Sequence, residues 1–132
     1  NAAPARALDD ELLQLLDVMI VNRVEAEFYK NYLADHVKQR LTLIETQGGA
    51  GVAIHRHGQK PTHHEAFGVK VLSSHGAGDM FSGALAARHL MGQSMEDATH
   101  YAQAAAALHI SSPLETRSTI TPEQVLAFMD TR

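Results

Sequence analysis

The chain has 132 residues, 45% hydrophobic and 20% charged, a balance that fits one domain able to bury a core. It has no cysteine, which excludes disulfides and thiolate metal sites and suits a reducing, cytoplasmic setting; no apolar run reaches membrane-spanning length. A net charge of -4, with the basic residues scattered, argues against a nucleic-acid surface.

Aromatic residues are only 5% of the chain, so alanine and leucine must do most of the packing. Residues 8–16 set Leu8, Leu12, Leu15 and Leu16 on one helical stripe, with Asp9, Asp10 and Glu11 in the first turn where the helix dipole favours acids. Residues 18–21 form a short, wholly apolar run, as in a strand covered on both faces. Helices are predicted over 25–32 and 36–40. Apolar strands at 41–46 and 52–56 flank Gln47-Gly48-Gly49-Ala50-Gly51, a turn too glycine-rich to be regular. Residues 63–72 read as extended, with Pro61 and Gly68 as breakers.

The last third is clearer. A helix over 78–91 carries Ser82, Gly83, Ala84, Ala86 and Ala87, small residues that allow close approach to a sheet. Ser94 can cap the next helix, which runs to about His109. Thr121-Pro122-Glu123-Gln124 supplies a capping threonine, a proline at the first helical position and a glutamine three residues after the cap, so a final helix starts there. Alternating strands and helices imply an α/β fold, a three-layer α/β/α arrangement around a mainly parallel sheet. Sites in such sheets lie beyond the carboxyl ends of the strands. Asn22, the Gly48-Gly49 turn and the segment 76–79 each follow a predicted strand, so the fold would bring them to one edge.

The segment Gly76-Ala77-Gly78-Asp79 carries the chemistry. Its glycines let the chain bend so that N–H groups at the helix start aim at one spot, where the dipole favours an anion such as phosphate. Asp79 at the mouth of that turn could take a proton from an approaching hydroxyl, the base role in phosphoryl transfer. The simpler reading is a glycine turn with Asp79 capping a helix.

Residues 76–90 resemble the signature of the ribokinase-like, or phosphofructokinase-B, family of carbohydrate and nucleoside kinases. Three further segments agree in order and spacing. Val18-Met19-Ile20-Val21-Asn22-Arg23-Val24-Glu25 is similar to the family's strand ending in Asn-x-x-Glu, 41–54 to its Thr-x-Gly strand-turn-strand, and 102–110 to its alanine-rich helix. The opening Asn1-Ala2-Ala3-Pro4-Ala5-Arg6 is similar to the loop after a central strand. The resemblance covers the chain end to end but lacks the family's N-terminal half, with most sugar contacts and a β lid. The chain is therefore expected to be one C-terminal, ATP-binding piece spanning 1–132.

The resemblance implies that Asp79 is the catalytic base toward a sugar hydroxymethyl group, and that the N–H groups of Ala77, Gly78 and Asp79, in the turn begun by Gly76, stabilise charge on the γ-phosphoryl of ATP. It implies that Asn22 and Glu25 reach the phosphates and hydrated Mg2+, Glu25 being the metal-facing carboxylate. Thr46, Gly48 and Gly51 match nucleotide-contacting positions, and Gln103 a polar position near the adenine. Each has a plainer role: a strand-ending Asn, an exposed helical Glu, a hairpin turn, a solvent-facing Gln. Gln47 departs from the family's small or apolar residue there.

Two departures touch the family's monovalent-cation site. Ser73-Ser74-His75 replaces the usual Asp-Thr-x, so the aspartate that helps hold the cation is Ser73, and Ser111-Ser112-Pro113-Leu114-Glu115 replaces the Arg-x-Gly-Ala type of loop that completes the site. Potassium is thus left open as a cofactor. His55, His57, His63 and His64 invite a zinc reading, against which stands the lack of an acidic or cysteine partner at supporting spacing. The function expected is a sugar kinase of the carbohydrate-kinase class, with a small-molecule sugar as substrate and the missing half as partner; the fragment alone is expected to be inactive. Other readings are a non-catalytic nucleotide-binding module and a fragment that self-associates as a homo-oligomer through exposed strand edges.

Overall fold

The apolar run becomes strand β1 (Val18–Asn22), between helix α1 (Asp10–Leu15) and helix α2 (Arg23–His36), in the computed structural model, which describes residues 1–36 and 40–131. Burial alternates along β1: Met19 and Val21 are buried, Val18 and Ile20 half-buried. Successive side chains point to opposite faces, so this alternation shows that the two faces are not equally covered as the run suggested. Of the helix predicted at 36–40, His36 ends α2, Arg40 lies in a turn, and residues 37–39 fall outside the described set.

Strands β2 (Thr42–Thr46), β3 (Val52–His55) and β4 (Thr62–His64) complete a sheet of order β1-β2-β3-β4. β1 and β2 run parallel, joined through α2; β2 with β3 and β3 with β4 run antiparallel. The α/β fold stands, but the sheet is mixed rather than mainly parallel. Parallel neighbours need a long crossover, which α2 provides and residues 47–51 are too short to provide, so the chain reverses there as a hairpin.

The leucine stripe read over 8–16 is a second correction. Only Asp10–Leu15 is helical, and Leu13 is its buried residue, while Leu12 and Leu15 are exposed. Fewer than two turns cannot sustain a stripe, and Leu8 and Leu16, outside the helix, pack against the core in irregular backbone. That core joins Leu13, Met19, Val21, Tyr29, Leu33, Leu41 and Leu43.

Residues Asn1–Glu65 and Ala66–Arg132 form two compact units. Of the stretch read as extended over 63–72, His63 and His64 lie in β4, and residues 65–72 carry no regular element. Helices α3 (Ala77–Leu90), α4 (Met95–Ser111) and α5 (Pro122–Asp130) follow, with a 3-10 stretch at Leu114–Thr119. The side chain of Ser94 accepts from Asp97 N–H at 3.0 Å, capping α4 as read. Thr121 and Gln124 form the reciprocal box that opens α5. Within this unit α3 packs against α4, and Tyr101, Ala104, Ala105 and Val125 make the core. No helix among the described residues is long and apolar enough to cross a membrane.

Candidate functional site

Gly76 is the N-cap of α3 and lies in the left-handed region at φ 78°, where only glycine is at ease. Space demands glycine too: a Cβ there would stand 2.9 Å from Nε2 of His109. The Ala77 N–H donates to the Ser74 carbonyl at 3.2 Å, and the regular ladder begins with Met80 N–H to the Gly76 carbonyl at 2.9 Å. Between them, the N–H groups of Gly78 and Asp79 have no acceptor among the described residues, as expected of a helix start. The anion turn therefore offers two amides rather than the three read from the sequence, because Ala77 closes the turn on itself. Both Gly78 and Asp79 are exposed, and the Asp79 carboxylate makes no hydrogen bond or ion pair among the described residues. A Cβ on Gly78 would meet nothing within 4 Å, so open space fronts these amides.

The turn is anchored by residues that sequence reasoning passed over. Arg117, only 6% exposed, donates from Nη2 to the Ser73 carbonyl at 3.0 Å, from Nη1 to the His75 carbonyl at 3.2 Å, and from Nε to the Ser112 carbonyl at 3.1 Å. His109 Nε2 sits 3.1 Å from the same His75 oxygen; a carbonyl only accepts, so that nitrogen carries the hydrogen. The N–H groups of Leu72 and Ser73 donate to the Ile110 carbonyl at the end of α4. The only sequence signal was one arginine in a short polar stretch.

In the first unit, Asn-x-x-Glu is a reciprocal helix cap. Asn22 N–H donates to Glu25 Oε2 at 2.8 Å and Glu25 N–H to Asn22 Oδ1 at 2.9 Å. Glu25 is buried, not the exposed helical residue of the plainer reading, and its Oε1 takes no part in the cap. Asn22 and Thr46 are register partners at the carboxyl ends of β1 and β2, so the parallel pairing brings these two together. The Thr46 hydroxyl donates to the Val21 carbonyl at 3.3 Å. Gly48 (φ 59°) and Gly51 (φ 99°) take the positive angles that turn the hairpin. Gln47 donates to Glu45 at 3.0 Å, and the other Glu45 oxygen lies 3.3 Å from His55 Nε2. His55 thus has an acidic neighbour across the strands that spacing did not reveal, yet among the described residues no three His, Asp or Glu gather as a metal site.

Gln103 belongs to the second unit with residues 76–79, and at 8% exposure it does not face solvent. Asn22, Glu25, Thr46, Gly48 and Gly51 all belong to the first unit.

The sequence matches the family described as pfkB family carbohydrate kinase over residues 1–122. A ribokinase from Haemophilus influenzae is 32% identical over 142 residues, covering 98% of this chain and 46% of that protein. The crystal structure of a ribokinase from Thermotoga maritima superposes with a TM-score of 0.81 at 27% identity, over 98% of this chain and 47% of that one. An Arabidopsis thaliana ribokinase, complexed with ribose and ATP, gives 0.78 at 25% identity, over 92% of this chain and 43% of that one. The chain thus spans less than half the length of these relatives.

Proposed function

The chain belongs to the pfkB family of carbohydrate kinases, and from that premise we propose that it is the C-terminal, ATP-binding half of an enzyme that transfers the γ-phosphoryl of ATP to a sugar hydroxymethyl group. The observation that carries the reading is the start of α3, where two amides without acceptors among the described residues stand beside the exposed Asp79. Asp79 accepts the proton of the attacking hydroxyl. The amides of Gly78 and Asp79 receive charge developing on the phosphoryl oxygens, the donor arrangement that stabilises such transfers.

Nucleotide contacts fall to Asn22, Thr46, Gly48 and Gly51 at the strand ends, and to Gln103 near the base. The donor chemistry fits: the turns at 48 and 51 leave backbone free of side chains, as close approach to phosphate requires. Glu25, through the oxygen outside its cap, would hold Mg2+ by way of its water shell. Mg2+, when bound, would offset the negative charge of the phosphates. The relatives' names make ribose the first sugar to try.

The test uses the full-length protein with ATP, Mg2+ and a panel of sugars. Asp79→Asn should lower kcat by about 10²–10⁴-fold while ATP affinity stays within a few-fold, since a lost base acts on the chemical step. Wild-type turnover by that variant overturns the assignment.

A further inference from the structure

We infer that Arg117 is a built-in cation, standing in for the free monovalent ion that the family resemblance leads one to expect beside the anion turn. A guanidinium is charged at every accessible pH, and burying it is costly unless its donors are satisfied. Arg117 is 6% exposed, and among the described residues no carboxylate pairs with it. What surrounds it instead are three backbone carbonyls, of Ser73, His75 and Ser112, at 3.0, 3.2 and 3.1 Å. Carbonyl dipoles converging on one positive charge are the ligand set an alkali ion takes. Here the fork of one side chain fills it.

The same two segments, 73–75 and 111–115, are where the sequence departs from the family's cation-binding pattern. Three of their four serine hydroxyls are also engaged: Ser73 Oγ accepts from His75 N–H at 3.3 Å, Ser111 Oγ donates to the Ala107 carbonyl at 2.8 Å and Ser112 Oγ to the Leu108 carbonyl at 2.7 Å. The residues present do not fit a free ion. Arg117 is therefore a positioning residue: it fixes Ser73 and His75, and through them the turn that aims the Gly78 and Asp79 amides. The inference rests on family membership for the expected ion, not on kinase activity.

The experiment compares melting of the chain in KCl and in tetramethylammonium chloride at equal ionic strength, for wild type and Arg117→Ala. Wild type should melt at one temperature in both salts. Arg117→Ala should melt lower and, with three carbonyls now facing a void, recover by roughly 5–10 °C in KCl at about 100 times the ion's Kd. Selective stabilisation of wild type by KCl overturns the inference, as does a folded Arg117→Ala that ignores it. Should the variant not fold, the wild-type comparison decides alone. No phosphoryl transfer is read, so the outcome stands apart from that of the Asp79 test.

Discussion

Gly76 and Gly78 sit two residues apart in the same turn and answer to different demands. At Gly76 a side chain would meet both an unfavourable backbone angle and the His109 ring. Gly76→Ala should therefore cost about 1–3 kcal/mol in urea denaturation. Adding His109→Ala should recover only part of that, because it removes the contact and leaves the angle. Gly78→Ala, facing open space, should be nearly neutral for stability yet weaken ATP binding in calorimetry, since the new methyl would stand where the phosphate approaches. Intact affinity in that variant would show that the Gly78 amide does not meet the nucleotide. The glycine turn and the helix it opens were legible in the sequence because a turn is decided locally. The His109 contact was not, since it joins residues far apart in the chain.

Among the elements, caps were the most readable feature, because a cap is decided within four residues. Thr121 and Gln124 formed the expected box, and Asn22 with Glu25 formed one where the sequence had suggested no cap. Replacing Asn22 by Ala should destabilise the chain by about 1 kcal/mol with no nucleotide present, a loss that a purely ligand-binding Asn would not show. At α5, the Glu123 carboxyl is held below its ordinary 4.5 chiefly by its own backbone N–H, then by the Thr121 hydroxyl. A lowered folded-state value means that Glu123 stabilises the helix above the ordinary value, and that this contribution fades as pH falls through the lowered one. Thr121→Ala should move the Glu123 titration upward in an NMR pH series. Strand direction was less legible than strand position: the short connection 47–51 forces a reversal that the alternation of strands and helices elsewhere obscured.

At the scale of the molecule, the motifs were enough to reach the family, because they recur in fixed order along the chain. Less than half of each relative is represented, and the sugar-binding part is proposed to lie in the remainder. The isolated chain should accordingly show no sugar-dependent ADP release in a coupled assay, whereas the full-length protein should; turnover by the chain alone would sink that division of labour. Arg117 was the residue no motif announced, its role set by three carbonyls of which two lie 42 and 44 residues away in the chain. A charge tethered by its own side chain is supplied once, at translation, and travels with the protein through any medium. Swings in cellular salt that would load or empty an ion pocket leave such a site unaltered, and its weak point is genetic instead, a single codon whose loss no change of medium short of a substitute ion could repair.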